Sequence, residues 1–139
     1  MAWLIAPRIG LSDLRFGMSR EDVEAVIGVR GSVKTTRTGR TRLEYGHTSP
    51  ALVFVDDALI EINLLPEISG GLVLDDLDLM TSKERDVVAA LRKRDDAAKE
   101  RNGFLIFPRL GIALSGFEPP EADQKAVTVF GPNHPWSTP

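Results

Sequence analysis

Cysteine is absent from the 139-residue sequence. Its absence excludes disulfides, thiolate catalysis and zinc sites built on cysteine. Long apolar runs are also missing, and no stretch approaches the ~20 residues needed to span a bilayer. The opening segment 1–7 is apolar, but it is too short for a signal peptide, lacks a basic start and contains Pro7. We therefore expect a soluble cytoplasmic protein with no membrane partner.

The overall composition is that of an ordinary globular domain, with 42% apolar and 27% charged residues. A chain of 139 residues favours one domain, spanning 1–139, with a core of its own. The net charge of −3 argues against a nucleic-acid partner. Aromatic residues make up only 6% of the chain, and none interrupts the basic segment 30–42 to stack on bases. We expect no nucleic-acid partner.

The first half of the chain predicts a helix followed by a β-hairpin. Ser19, with Asp22 three residues later, is typical of a helix start, and Gly28 favours a left-handed helix end. Two strand-like runs, 52–55 and 59–62, flank a turn at Asp56 and Asp57.

The second half predicts a longer helix and then strands. Thr81 and Glu84 match the stricter capping box, and the helix is predicted to run to about Arg101, where Asn102 and Gly103 end it. Strand-like runs follow at 104–107, 111–114 and 126–130, before a proline-rich tail at 132–139.

These patterns predict a single α+β domain, with two helices packed on one face of a curved antiparallel β-sheet. The segments of about 9–66 and 72–131 also predict a tandem helix–hairpin repeat. The alternative is that an α+β protein of this size simply has two such helices. The predicted core residues are Val23, Val26, Ile27, Phe54, Ile60, Ile62, Val88, Leu91, Ile112 and Val129.

Motifs that carry catalysis are scarce. His47 and His134 lie beside turn residues without metal-ligand spacing, so we interpret both as exposed loop histidines. No nucleophile elbow or phosphate-binding glycine loop is present. The acidic segment 75–78 offers oxygen ligands for Mg²⁺ or Ca²⁺, but the rest of an EF-hand is missing. We expect no enzyme activity, no cofactor and no metal.

Carboxylates concentrate in the predicted loops. Such a surface would complement a basic partner, although ordinary solubility is the alternative explanation. Trp136, in the tail, either packs on the core or anchors a partner. The candidate partner-binding residues are therefore Asp56, Asp57, Asp75, Asp76, Asp78, Glu118, Glu121 and Trp136.

The segment from Leu14 to Gly28 has the pattern L-x-F-G-M-S-x-E-D-V-x-x-x-I-G. It resembles the start of small bacterial immunity proteins, which are encoded beside polymorphic or contact-dependent growth inhibition toxins. A late L-G-I-x-L strand, Leu110 to Leu114, adds to the resemblance. The first segment is also similar to small repeat modules of β-lactamase inhibitors and outer-membrane-assembly lipoproteins. Those proteins are exported, whereas we expect no export signal in this chain, which counts against this second resemblance.

The resemblance to immunity proteins implies a monomer that binds the C-terminal domain of a cognate toxin, often a nuclease, as a heterodimer. Binding would block the active site or substrate groove of the toxin. No catalytic residues come with this family. The alternative interpretation is a small ligand- or metal-binding α+β domain, or an enzyme of unknown reaction, that uses His47 or the segment 75–78.

Overall fold

The computed structural model describes residues 2–36, 39–117 and 125–137. Two α-helices lie in these ranges, α1 at Arg20–Ile27 and α2 at Glu84–Arg94. The strands are β1 Trp3–Ala6, β2 Gly10–Leu11, β3 Leu14–Arg15, β4 Ser32–Thr35, β5 Arg40–Glu44, β6 Ala51–Val55, β7 Ala58–Leu64, β8 Leu72–Leu74, β9 Leu77–Asp78, β10 Lys99–Arg101, β11 Phe104–Phe107, β12 Ile112–Ser115 and β13 Ala126–Phe130. A short 3₁₀ turn follows at Pro135–Ser137.

The strands form two sheets. The larger sheet has eight strands in the order β10-β11-β12-β13-β7-β6-β5-β4, and every neighbouring pair is antiparallel. It curves without closing. The smaller sheet has the order β3-β2-β1-β8-β9, and only its β1–β8 pair is parallel.

Both helices pack on the same face of the larger sheet. Val23 of α1 and Leu91 of α2 are fully buried in one apolar cluster with inward-facing sheet residues such as Phe54, Ile62 and Val129. Successive side chains of a strand point to opposite faces of the sheet, so about every second side chain of these strands lies in the core. The predicted α+β fold is confirmed.

The order of elements is the same in both halves of the chain. Each half has a short hairpin, then a helix, then four strands in a meander: β2–β3, α1 and β4–β7, followed by β8–β9, α2 and β10–β13. The two meanders meet where β7 pairs with β13. Each helix is therefore followed by four strands rather than by a single hairpin, and the tandem repeat itself stays a prediction.

The predicted ends of α1 are confirmed. The hydroxyl of Ser19 accepts a hydrogen bond from the backbone N–H of Asp22 at 3.1 Å, and Gly28 adopts a left-handed φ of 88°. The prediction that Val26 belongs to the core is wrong, because its side chain is 46% exposed. This eight-residue helix contacts the sheet along one narrow stripe, which holds Val23 and the half-buried Ile27.

The predicted end of α2 at Arg101 is wrong, since the helix stops at Arg94. Asn102 and Gly103 adopt φ values of 52° and 86° and form the turn of the β10–β11 hairpin. The predicted capping box is also wrong: the N-cap is Lys83, which makes no side-chain cap. The backbone N–H of Thr81 donates instead to the carboxylate of Asp78.

Candidate functional site

We call the face of the larger sheet opposite the helices the open face. Most of the charged residues in the strands of this sheet lie on it. Cross-strand neighbours share a face, so one row runs from Lys34 through Arg42, Val53 and Glu61 to Phe130. Phe130 belongs to an apolar cluster separate from the core under the helices. The charged side chains of the open face are Lys34, Arg40, Arg42, Glu44, Glu61, Lys99 and Arg101. Basic groups therefore predominate on this face of a chain whose net charge is −3.

Ion pairs fix the basic side chains nearest the β4 edge. Glu44 lies 2.8 Å from Lys34 Nζ and 3.3 Å from Arg42 Nε. Hydrogen bonds from these two residues hold the pKa of Glu44 below its ordinary value. Arg40 Nη1 lies 3.6 Å from Glu61 Oε1. Such partly exposed pairs add little to stability, but they set the positions of the charges.

A chain of hydrogen bonds crosses the centre of the open face. Thr128 donates from Oγ1 to Asn63 Oδ1 at 2.8 Å, and Asn63 Nδ2 donates to Glu61 Oε2 at 2.9 Å. Glu61 Oε1 in turn lies 2.6 Å from His134 Nε2. Burial alone would raise the pKa of Glu61, but the bonds from His134 and Asn63 and the nearby Arg40 outweigh it and lower that pKa.

His134 ties the C-terminal segment to the sheet. Its Nδ1 accepts a hydrogen bond from the backbone N–H of Trp136 at 3.0 Å. This assigns the ring proton to Nε2, which donates it to Glu61. Both ring nitrogens are engaged and the side chain is only 2% exposed. The prediction of an exposed loop histidine is wrong for His134, whereas His47 is exposed.

Trp136 packs on the open face. Its ring lies 4.9 Å from that of Phe104 and 5.9 Å from that of Phe130, measured between centroids. With Ile106 and Ala113 these side chains form the second apolar cluster. Of the two roles expected for Trp136, packing is the one observed, and contact with a partner stays a prediction.

Three of the candidate carboxylates are engaged within the chain. The carboxylate of Asp57 accepts from the backbone N–H of Arg20, at the start of α1. Asp75 pairs with Arg94, at the end of α2. Asp78 accepts the backbone N–H groups of residues 80 and 81.

Asp56 and Asp76 are exposed and form no hydrogen bond or ion pair with the described part of the chain. Asp56 lies at the rim of the open face, where it lines a cavity of about 380 Å³ with Arg40 and Pro135. Asp76 lies on the β8–β9 turn of the smaller sheet, with Asp75. Glu118 and Glu121 lie outside the described residues. The structure therefore does not gather the candidate carboxylates into one acidic surface.

Sequence reasoning missed the basic residues of the open face. A second cavity of about 320 Å³, lined by Arg42, His47 and Asn63 among others, opens on the same face. The available signal was the alternation of charge in β5, where Arg40, Arg42 and Glu44 occupy every second position. On the sequence alone, we considered this basic segment only as a nucleic-acid surface.

Within residues 2–36, 39–117 and 125–137, no three histidine or carboxylate side chains come together as metal ligands. Neither helix of the described ranges has the length and apolar content that a membrane crossing requires. No protein-family model matches the chain, and no curated protein or solved structure shows significant similarity to it.

Proposed function

We propose that this chain is an immunity protein that binds a cognate toxin domain through the open face and its rim. The observation that carries the proposal is the open face itself. Among the described residues, no α-helix lies over this face, and the C-terminal segment covers mainly its part formed by β11, β12 and β13. Ion pairs join the charged side chains on β4, β5 and β7.

The dimensions of the open face suit a protein partner. Strands in a sheet lie about 4.8 Å apart, so eight of them extend over roughly 35 Å. The C-terminal segment covers mainly the part formed by β11, β12 and β13, and the strands β4 to β7 are available to a partner. A standard interface needs about 800 Å² from each partner. The hydrogen-bonded row from Thr128 to His134 is already ordered, so little side-chain freedom is lost when a partner binds.

The charges of the open face favour a selective partner. Arg40 and the free carboxylate of Asp56 line the same cavity, so opposite charges lie side by side at the rim. Mixed charge of this kind raises the association rate of a complementary surface and penalises a wrong one. Among the candidate carboxylates in the described residues, only Asp56 and Asp76 have no partner in that part of the chain. They lie on different sheets, and either could contact a basic toxin surface.

In this proposal the protein is a cytoplasmic monomer without enzymatic activity, and it forms a heterodimer with the toxin. The complex blocks the active site or substrate groove of the toxin. The proposal rests on the open face together with the resemblance of the segment from Leu14 to Gly28.

Co-expression tests the proposal directly. The partner is the C-terminal domain of the protein encoded immediately upstream, and the readouts are cell survival and co-purification. The variant Arg40→Glu/Arg42→Glu reverses charge on the open face. Its matched control, Arg92→Glu/Lys93→Glu, makes the same charge change at two exposed positions of α2.

We expect rescue and a stable complex for the wild type, at least about tenfold weaker binding for the open-face variant, and near wild-type binding for the control. Circular dichroism checks that both variants fold. A toxin that the wild-type chain neither binds nor neutralises contradicts the function. Equal binding by the two variants contradicts the assignment to the open face.

A second candidate function, binding of a small apolar ligand, is favoured by one pocket. It has a volume of about 260 Å³ and is lined by Trp3, Ile27, Val29 and Tyr45 among others. Tyr45 donates its hydroxyl to the carbonyl of Val29 at 3.3 Å, which fixes one wall. Indole and short fatty acids are suitable probes, since a ligand selective for the folded chain raises its Tm. No change in Tm with any probe contradicts this candidate.

A further inference from the structure

Strand β4 ends the larger sheet, and its outer edge has no neighbouring strand among the described residues. The backbone N–H of Thr36 donates to the carbonyl of Arg40 at 2.8 Å. Because hydrogen-bonded and non-bonded pairs alternate along an antiparallel ladder, Lys34 also bonds to its β5 partner. By the same alternation, the N–H and C=O groups of Val33 and Thr35 point away from β5 and towards the open edge.

The two sides of β4 differ in chemistry. All four of its residues are exposed. Lys34 pairs with Arg42 on the open face, whereas Val33 pairs with the core residue Leu43 on the helix side and is 45% exposed. The segment between α1 and β4 carries one more exposed valine, Val29. The edge therefore presents Lys34 on the open-face side and Val33 on the helix side.

The opposite edge of the sheet differs from β4. Strand β10 consists of three consecutive charged residues, Lys99, Glu100 and Arg101. Charged side chains are one of the ways in which proteins block unwanted pairing at a sheet edge. Strand β4 has a single charge, Lys34, beside the exposed Val33, so it has less of that protection.

We propose that β4 accepts an extended segment of the partner protein as a ninth strand of the larger sheet. The inference rests on the proposed binding function and specifies how the partner docks. Backbone hydrogen bonds to Val33 and Thr35 would supply affinity, and alternating side chains would supply selectivity. The segment carries acidic residues on the side of Lys34 and Arg42 and apolar residues on the side of Val33.

Charge favours this occupant over two others. A nucleic acid is disfavoured because the chain has a net charge of −3 and the basic segment 30–42 has no aromatic residue to stack on bases. A second copy of β4 would bring its own Lys34 against the same basic side chains, and like charges across strands are destabilising. An acidic and apolar segment avoids both obstacles, because the basic Lys34, Arg40 and Arg42 outnumber Glu44 and Glu61 on this part of the open face.

The test removes the outward donor from β4. Thr35→Pro deletes an N–H that makes no bond to β5, so the β4–β5 ladder stays intact. The matched control is Glu100→Pro on the opposite edge strand. Arg101 and Phe104 flank the two-residue turn and form a hydrogen-bonded pair. By the same alternation, the N–H of the preceding Glu100 points away from β11 and is not needed by the sheet. The probe is a labelled short peptide that alternates Glu and Val, with a Lys–Val peptide and a single-stranded oligonucleotide as comparisons.

We expect fluorescence anisotropy to show that the wild type binds the Glu–Val peptide but neither the Lys–Val peptide nor the oligonucleotide. Thr35→Pro should bind the Glu–Val peptide at least about tenfold more weakly, and Glu100→Pro should bind it as the wild type does. Lys34→Glu keeps the backbone and should also weaken binding. Preference for the oligonucleotide or the Lys–Val peptide, self-association through β4, or full binding by Thr35→Pro overturns the proposal.

The co-expressed toxin separates this proposal from the function on which it rests. If the wild type and Thr35→Pro neutralise the toxin equally, the immunity function holds and strand addition is wrong. If the wild type does not bind the toxin at all, the function itself fails, whatever the peptide does.

Discussion

The backbone N–H of Arg20 donates to Oδ1 of Asp57 at 3.0 Å, across 37 residues of sequence. The turn between β6 and β7 thus supplies a carboxylate to the positive end of α1. In the second half of the chain, Lys125 begins the approach to β13 and reaches the start of α2, where its Nζ donates to the carbonyl of Met80 at 2.6 Å and lies 3.3 Å from Glu84. In both halves, the last pair of strands is connected to the start of the preceding helix.

Replacing Asp57 with alanine should lower the free energy of unfolding by about 1 kcal/mol more than replacing Asp56 does. The two residues have similar positive φ values, 59° and 52°, so the strain added by alanine is matched. Only Asp57 contacts α1. Urea denaturation of both variants measures the difference, and equal midpoints would show that the bond to Arg20 adds nothing.

Asp95→Ala should be the most destabilising single change at a carboxylate. Asp95 is 1% exposed, and its side chain accepts the backbone N–H groups of Ala97, Arg109 and Leu110. Removing it leaves these donors unpaired, at a cost of about 2–4 kcal/mol. The neighbouring Asp96→Ala, which loses only an exposed ion pair with Arg109, is the control and should cost less than about 1 kcal/mol. Thermal or urea unfolding gives both values.

Glu61→Gln should reduce stability at neutral pH and flatten its dependence on acid. The pKa of Glu61 is lower in the folded chain than its ordinary value of 4.5, so the unfolded chain binds more protons between the two values. The contribution of the ionised Glu61 to the free energy of unfolding is complete above the pKa that Glu61 has in the unfolded chain. It is lost as pH falls through the lower pKa that Glu61 has in the folded chain.

The expected loss for Glu61→Gln at neutral pH is about 1–2 kcal/mol. Urea unfolding between pH 7 and pH 3 measures it, with the exposed Glu67→Gln as the control. A glutamine variant whose stability falls with acid as steeply as that of the wild type would exclude Glu61 as the source.

Val23→Ala should cost about 1–3 kcal/mol, because Val23 is fully buried beneath α1. Val26→Ala should change stability by less than about 0.5 kcal/mol, since that side chain is 46% exposed. Both positions lie in the same helix, so the change in helix propensity is shared. Urea denaturation compares them, and equal losses would mean that the side of α1 facing the sheet is assigned wrongly.

Local signals predicted α1 and the hairpin at Asp56 and Asp57 from the sequence. Each depends on residues within a few positions of one another: Ser19 and Gly28 fix the helix ends, and two adjacent positive-φ aspartates form the turn. Such signals act through backbone geometry alone, so no knowledge of the rest of the fold is needed.

The end of α2 was predicted wrongly because a tertiary contact decides it. The segment 92–101, in which eight of ten residues are charged, suits an exposed helix face, but the buried Asp95 caps a turn against residues 109 and 110. Asn102-Gly103 carried a usable signal, since this pair is a strong indicator of a two-residue hairpin. It was interpreted as a helix end.

The open face was missed because it depends on register. Lys34, Arg42 and Glu61 are distant in sequence and become neighbours only when β4, β5, β6 and β7 pair as observed. Shifting any strand by one residue would turn its charges to the other face. Composition and spacing do not determine that register.

The junction of β7 with β13 has a consequence for the kinetics of folding. Every other neighbouring pair in the larger sheet joins strands that are consecutive in the chain, so each meander forms between segments that are close in sequence. The β7–β13 pair instead joins residues more than sixty positions apart, such as Leu64 and Val127. Closing so long a loop costs more chain entropy than closing a hairpin. We expect the two meanders to form early and their docking, strand β13 against β7, to set the folding rate.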